Sequence, residues 1–314
     1  MSNKQSNANC IALKDAKTGA GFEVIPALGG ILQKLTLTNS VGKSYQLLTK
    51  FDSQKELLTN PISKSSLLFP FPNRLAGGRY EFEGKIYQFP INEPERNNSL
   101  HGFLLRKSLK LKSVEMADDM KVTVSYQYKK EYDYYPFSFE LDITYQLDAP
   151  DQFSVFVEIK NTGTGNMPFG FGWHPYFCLG EPVKNLSLQF PKVKRVLLNK
   201  NIIPTGEKEG YNVFESLSKV GVNILDDCFV LDNPQDETAG ITLWSEKQQY
   251  GVKVWQEASA DKFPFIQIYT PSNDLNYLAI EPMTCSIDAF NNGDGLQVLG
   301  AGESFSGKFG VSLI

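Results

Sequence analysis

Apolar and polar residues alternate with a period of two along most of this 314-residue chain, and that period marks strands with one buried and one wet face. Residues 122–128 read V-T-V-S-Y-Q-Y, residues 137–147 read F-S-F-E-L-D-I-T-Y-Q-L, and residues 153–159 read F-S-V-F-V-E-I. These predict consecutive antiparallel strands. The pattern returns at residues 252–255, 265–269 and 277–280, the last two separated by the turn-rich run T-P-S-N-D-L-N. Helical periodicity is confined to short pieces around residues 212–220 and 288–291. Without strand–helix alternation there is no parallel sheet, and no glycine run follows a strand in the way a phosphate cradle requires, which disfavours a doubly wound nucleotide-binding fold. The expected fold is all-β: a large antiparallel β-sandwich with few short helices. No Pro/Ser-rich linker and no internal repeat divides the sequence, so residues 1–314 are expected to form a single domain.

Composition narrows the function classes. With 41% hydrophobic and 21% charged residues the chain is an ordinary globular sequence. A net charge of −4, with Lys and Arg scattered, gives no reason to approach nucleic acid or anionic membranes. The amino terminus M-S-N-K-Q-S-N-A-N-C lacks the apolar core of a secretory signal and no stretch has the length of a membrane span, which predicts a cytoplasmic protein. The four cysteines form no C-x-x-C pair, so neither a disulfide framework nor a zinc site is expected. Cys178, Cys228 and Cys285 read best as small buried apolar side chains, the alternative being thiols that line the walls of a site.

Candidate chemistry gathers in a few places. Of the two histidines, His101 lies in N-N-S-L-H-G and His174 in F-G-F-G-W-H-P-Y-F. Either could be structural when taken singly. An imidazole titrates near neutrality, however, and the neighbouring aromatic residues Trp173, Tyr176 and Phe177 offer flat faces, a mixture that suits a polar ligand with apolar C–H surfaces. Glu281 follows the apolar strand Y-L-A-I, where partial desolvation would make it a better base than an exposed carboxylate; the plainer reading is a rim carboxylate capping the next turn. Asp226 and Asp227, in N-I-L-D-D-C-F-V-L, either bind a ligand or merely end a strand. Arg74 sits between Pro70 and Pro72 on one side and Gly77 and Gly78 on the other, a constrained segment able to hold a guanidinium for bidentate bonding; a surface arginine in a hairpin is the alternative.

These residues stand in a recognisable order. N-R-L-A-G-G-R-Y-E-F-E-G-K-I-Y-Q-F through N-N-S-L-H-G resembles the aldose 1-epimerase (galactose mutarotase-like) family's Asn-Arg, glycine, dGxxY and N-x-LHG. Y-P-F-S-F-E-L-D-I-T-Y-Q-L is similar to its YPG-led strand, W-H-P-Y-F-C-L to its HPYFNL, and E-P-M-T-C-S-I-D-A-F-N to its EPMTxxPDAFN. The resemblance spans from about Asn73 to Leu299. It implies a galactose mutarotase-like β-supersandwich with Glu281 as general base and His174 as general acid. Asn73, Arg74, His101 and Tyr176 are implied on the substrate, and of the paired acids Asp226, three residues before Phe229, is favoured over Asp227. H-G-F-L-L-R-K in place of LHGG, and Cys178 in place of Asn, mark a divergent branch in which the identity of the sugar is the open point.

Anomerisation needs the C1 hydroxyl to lose a proton while the ring oxygen gains one, so an acid and a base are expected on opposite sides of the hemiacetal. Neither metal nor nicotinamide is required, and the expected partner is a small sugar, with the chain a monomer or homodimer. Three rivals remain: a non-catalytic carbohydrate-binding domain, a glycosidase using Glu281 and Asp226, and a hexose-phosphate epimerase drawing on Arg74, Arg79 and Arg96.

Overall fold

The computed structural model describes residues 10–116, 120–271 and 275–314. Of the polar amino terminus only Cys10 is described, and residues 272–274 of the turn run T-P-S-N-D-L-N lie outside the described residues.

Two large antiparallel sheets carry the fold. The nine-stranded sheet runs in the order Lys110–Met116, Met120–Tyr128, Phe139–Ala149, Gln152–Asn161, Ser304–Leu313, Tyr250–Glu257, Thr238–Ser245, Ser187–Gln189 and Ser218–Lys219. The eight-stranded sheet runs Pro204–Tyr211, Val193–Leu198, Asp226–Leu231, Phe265–Tyr269, Leu278–Met283, Gly172–His174 and Ser66–Leu68, with Tyr176–Phe177 also paired to Leu278–Met283. Alternation decides which residues face inward. Val122, Val124, Leu141, Ile143, Val155 and Val157 are buried along one face of the first sheet, and Phe229, Ile266, Ile268, Leu278 and Ile280 along one face of the second. All belong to one core cluster. Trp173 of the second sheet stacks on Phe309 of the first at 5.5 Å between ring centroids, which marks the seam where the two sheets meet. Each fully buried side chain of this size contributes on the order of 1.5–3 kcal/mol.

Of the predicted helices, one occurs, at Ala289–Asn292. Residues 212–220 are not helical: they form a turn leading into the short strand Ser218–Lys219. Their apolar spacing mimics a helix, yet Val213 and Leu217 are 49% and 46% exposed, and only Phe214 and Val220 of the segment's apolar residues are fully buried. The backbone is held from outside instead, Phe190 N–H donating to Phe214 C=O and Val220 N–H to Leu186 C=O. An unexpected helix spans Gln54–Thr59. Ser53 Oγ accepts from Glu56 N–H at 3.1 Å and the Glu56 carboxylate accepts from Asp52 N–H at 2.6 Å, a variant of the capping box that S-x-x-E could have signalled. Among the described residues no helix is long and apolar enough to cross a membrane.

Candidate active site

The site occupies the face of the eight-stranded sheet turned away from the core. Register builds it. Cys228 pairs with Gln267 and Gln267 with Glu281. Because Gly172 pairs with Met283 and Tyr176 with Ala279, His174 stands opposite Glu281. One row across four strands therefore reads Cys228, Gln267, Glu281, His174, and the next reads Asp226, Tyr269, Ala279, Tyr176. The alternate residues, Trp173 and Phe177 among them, point into the main core, so of the three aromatics flanking His174 only Tyr176 reaches the site. Glu281 does not follow a strand, as its sequence position suggested, but lies inside Leu278–Met283 and is 1% exposed.

A second wall comes from the two-stranded ladder of Arg74–Ala76 with Asn98–Leu100. Asn73 and His101, at its end, both take left-handed backbone conformations, φ 57° and 63°. His101 N–H donates to Asn73 C=O at 2.8 Å and Asn73 N–H donates to His101 Nδ1 at 3.1 Å. A ring nitrogen that accepts carries no proton, so His101 holds its proton on Nε2 and offers it as a donor. The next residue must be glycine: a Cβ on Gly102 would sit 2.2 Å from Phe69 C=O. Arg74 is a buried ion-pair partner rather than a surface hairpin residue. Its Nε and Nη2 donate to Glu93 and its Nη1 to Asn73 Oδ1 at 3.1 Å.

Between these walls lies a cavity of about 300 Å³ whose lining includes Asn73, Arg74, Glu93, Glu95, Arg96, His101, His174, Tyr176, Asp226, Gln267, Tyr269 and Glu281. Every residue that the family motifs assign to the site reaches it. Asp227 does not; its carboxylate points elsewhere, 3.7 Å from Arg195 Nη1. Arg79, on the exposed hairpin strand Arg79–Phe82, is absent from the lining, as are Cys178, Cys228 and Cys285. Burial pushes the Cys228 thiol up to about 12, consistent with a packing role.

His174 Nε2 lies 3.3 Å from Glu281 Oε1. The other polar atom of each, His174 Nδ1 and Glu281 Oε2, is buried without a hydrogen-bond partner, an arrangement that is costly unless something polar arrives. Burial drives Glu281 well above the usual carboxylate range, reinforced by the Asp226 charge and opposed by Arg74. Burial also lowers His174 to about 3, and lowers His101 well below its ordinary value, with His174 and Arg74 adding to the effect. Asp226 is raised, again chiefly by burial, against the pull of Arg74 and Arg96. Acid and base candidates thus stand side by side on one sheet row, not on opposite sides as expected. Side by side is sufficient, since a hemiacetal's hydroxyl oxygen and ring oxygen are bonded to the same carbon. Among the described residues there is no cluster of His, Cys, Asp and Glu suited to a metal ion.

Glu93, Gln267 and Tyr269 are lining residues that the sequence did not single out. Gln267 donates from Nε2 to Asp226 Oδ1 at 2.9 Å, and its Oε1 is buried and unpartnered.

The sequence model of the family described as aldose 1-epimerase matches residues 14–312. The chain belongs to the aldose 1-epimerase family. It is 28% identical over 243 residues to the YihR protein of Escherichia coli K12, covering 76% of this chain and 75% of that one. It is 24% identical over 318 residues to the bifunctional protein GAL10 of Kluyveromyces lactis, covering 92% of this chain and 45% of that protein. Among solved structures, a galactose mutarotase-like protein of Clostridium acetobutylicum matches with a TM-score of 0.84 at 23% identity, over 97% of this chain and 95% of that one. The galactose 1-epimerase of Lactobacillus acidophilus matches at 0.79 and 16% identity, over 98% of each chain. Those structural likenesses establish the fold.

The family motifs owe their form partly to packing. A Cβ on Gly170, in F-G-F-G-W-H, would lie 2.3 Å from Cys285 Sγ of E-P-M-T-C-S. Asp288, in the same motif, never reaches the cavity; it accepts from Ala76 N–H at 2.9 Å while its own N–H donates to Arg74 C=O at 2.8 Å. It therefore fastens the Arg74 strand. Asp288→Ala is expected to lower stability by about 1–3 kcal/mol by orphaning the Ala76 N–H and the Asn291 amide that its carboxylate accepts from, and a urea midpoint equal to that of the wild type would refute the clamp.

Proposed function

We propose that this family member is itself an aldose 1-epimerase that interconverts the α and β anomers of a pyranose, with Glu281 as base and His174 as acid. The observation that carries the reading is the buried Glu281–His174 contact at 3.3 Å, with Glu281 Oε2 unpartnered beside a polar cavity of about 300 Å³.

Glu281 takes the proton of the C1 hydroxyl; the C1–ring oxygen bond breaks with its electron pair going to the ring oxygen; His174 delivers a proton there, and a C1 carbonyl results. Rotation about C1–C2 and reclosure on the other carbonyl face return both protons. The two groups share one proton throughout. At the open-chain stage Glu281 is a neutral acid and His174 a neutral imidazole, the state that desolvation of both favours. The sugar's hydroxyls compensate in the ring-closed state by donating to the carboxylate. His101 Nε2–H, the remaining Arg74 donors and the Asp226 and Gln267 oxygens hold the other hydroxyls.

The direct test is the optical rotation of a freshly dissolved aldose with and without protein, repeated over a small panel of aldoses. No acceleration of rotation decay for any of them would defeat the reading.

Asp226 touches both binding and proton chemistry. Asp226→Asn removes a charged acceptor worth roughly 1.5–3 kcal/mol, which predicts a KM raised roughly ten- to a hundredfold with a smaller fall in kcat. Because the Asp226 charge helps hold Glu281 up, its removal lets the pair lose its shared proton at lower pH. The alkaline limb of the kcat profile should therefore move to lower pH, and an unmoved limb would show that Asp226 does not influence the base.

A further inference from the structure

Glu93 stands out as the common anchor of both cavity arginines. It is buried, with Arg74 Nε at 2.9 Å from Oε2, Arg74 Nη2 at 2.9 Å and Arg96 Nη1 at 3.0 Å from Oε1, and Asn98 Nδ2 at 2.9 Å from Oε2. These donors hold its carboxyl below the usual range against the opposing effect of burial. Among the described residues Arg74 and Arg96 are the only arginines on the cavity, and two guanidiniums in one sugar-sized pocket would ordinarily invite a phosphate or carboxylate. Here each already faces the same carboxylate.

We propose that Glu93 is the specificity-determining residue of this site: by neutralising the charge of Arg74 and Arg96 it makes them poor anion sites, so that the pocket selects neutral aldoses and rejects sugar phosphates and sugar acids. The inference rests on the sugar-epimerase reading and adds to it a residue and a rule of selection. Charge balance supports it. The cavity is lined by two arginines and by the carboxyls of Glu93, Glu95, Asp226 and Glu281, so even with one proton held by the Glu281–His174 pair the negative groups outnumber the positive ones. An incoming anion would meet guanidiniums whose charge Glu93 already balances and would lie against that carboxylate or have to displace it, and among the described residues a displaced Glu93 has no other cation among its contacts. A neutral sugar hydroxyl meets no such repulsion and uses the guanidinium N–H groups that Glu93 and Asn73 leave free. Glu93 thereby acts through the arginines as a positioning residue, fixing the plane of Arg74 by its bidentate grip.

The test compares wild type with Glu93→Gln, which preserves shape and the Asn98 contact while removing the charge. Anomer exchange of glucose and of glucose 6-phosphate is followed by NMR exchange spectroscopy, and binding of both sugars is measured by calorimetry at low and high salt. Wild type is expected to prefer glucose by at least about tenfold in kcat/KM. Glu93→Gln should shift the ratio toward the phosphate by about tenfold or more, mainly through KM, with the gain shrinking at high salt. A merely structural role would lower both sugars together and leave the ratio and its salt dependence unmoved, which would overturn the proposal, as would a wild type that handles the phosphate as well as the free sugar. Should Glu93→Gln fail to fold, Arg96→Gln, whose parent side chain is 39% exposed, serves instead: with one cation gone the discrimination against phosphate should sharpen, and an unchanged ratio would overturn the proposal. The calorimetric arm stands apart from catalysis. Absence of anomer exchange in wild type with intact selective binding of glucose would defeat the epimerase reading while upholding the role of Glu93.

Discussion

Glu281→Gln should abolish catalysed anomer exchange, a fall of roughly 10²- to 10⁴-fold in kcat, while the protein stays folded. The amide keeps the shape of the carboxyl and can still receive a hydrogen bond from the sugar, but it cannot take the C1 proton. Stability is expected to move the other way. The folded site holds Glu281 well above the usual carboxylate range, with burial the leading cause. Unfolding releases that carboxyl to its ordinary value, so as pH rises past the ordinary carboxylate range the unfolded chain gives up a proton that the folded chain retains. The contribution of Glu281 is then fully present at pH values below its unfolded pKa and is lost as pH climbs through the raised folded value. A glutamine amide does not titrate and suffers no such loss. The variant should therefore equal or exceed wild type in urea midpoint near neutrality, with an advantage that narrows as pH falls toward the ordinary carboxylate range. A variant that keeps more than a tenth of the wild-type rate in polarimetry would remove Glu281 from the role of base; one that is less stable at every pH would contradict the desolvation account.

The strand pattern and the motif residues were legible in the sequence because both are local. Alternation in residues 122–128 and 153–159 located Met120–Tyr128 and Gln152–Asn161 directly. The strand expected from residue 137 starts instead at Phe139, since Phe137 leaves the ladder to pack on the rings of Phe82 and Tyr87. What stayed hidden depends on register. The strand Phe265–Tyr269, F-I-Q-I-Y, reads as one apolar and one wet face; that its polar face is roofed into a cavity follows from Gln267 lying opposite Glu281. Glu93 is harder still. N-E-P-E-R-N-N reads as a solvated charged loop, and nothing local reveals that pairing of Arg74–Ala76 with Asn98–Leu100 folds the carboxylate inward over Arg74. The false helix at residues 212–220 belongs to the same class: its periodicity is real, but neighbouring segments supply its hydrogen bonds.

His174→Gln separates a proton donor from a hydrogen-bond donor. A glutamine amide reaches about as far as the imidazole Nε2 and can donate to a ring oxygen, yet it cannot surrender a proton to it. Sugar affinity should therefore survive largely intact while kcat falls roughly 10²- to 10⁴-fold. Folding should also survive. Burial already keeps His174 uncharged, at about 3, so a neutral amide replaces a neutral ring beside Glu281, and no buried charge is stranded. The pH profile supplies the sharper readout. In wild type the acid limb marks the second proton arriving on the Glu281–His174 pair; without the imidazole a single proton on Glu281, whose carboxyl burial holds well above the usual range, already blocks the base, so the acid limb should move to higher pH in whatever activity remains. Nδ1 of His174 has no partner in the folded protein, so the substitution severs no other hydrogen bond that could imitate this result. An unchanged kcat would end the assignment of His174 as acid, and a KM rising in step with the fall in kcat would recast it as a residue that only grips the sugar.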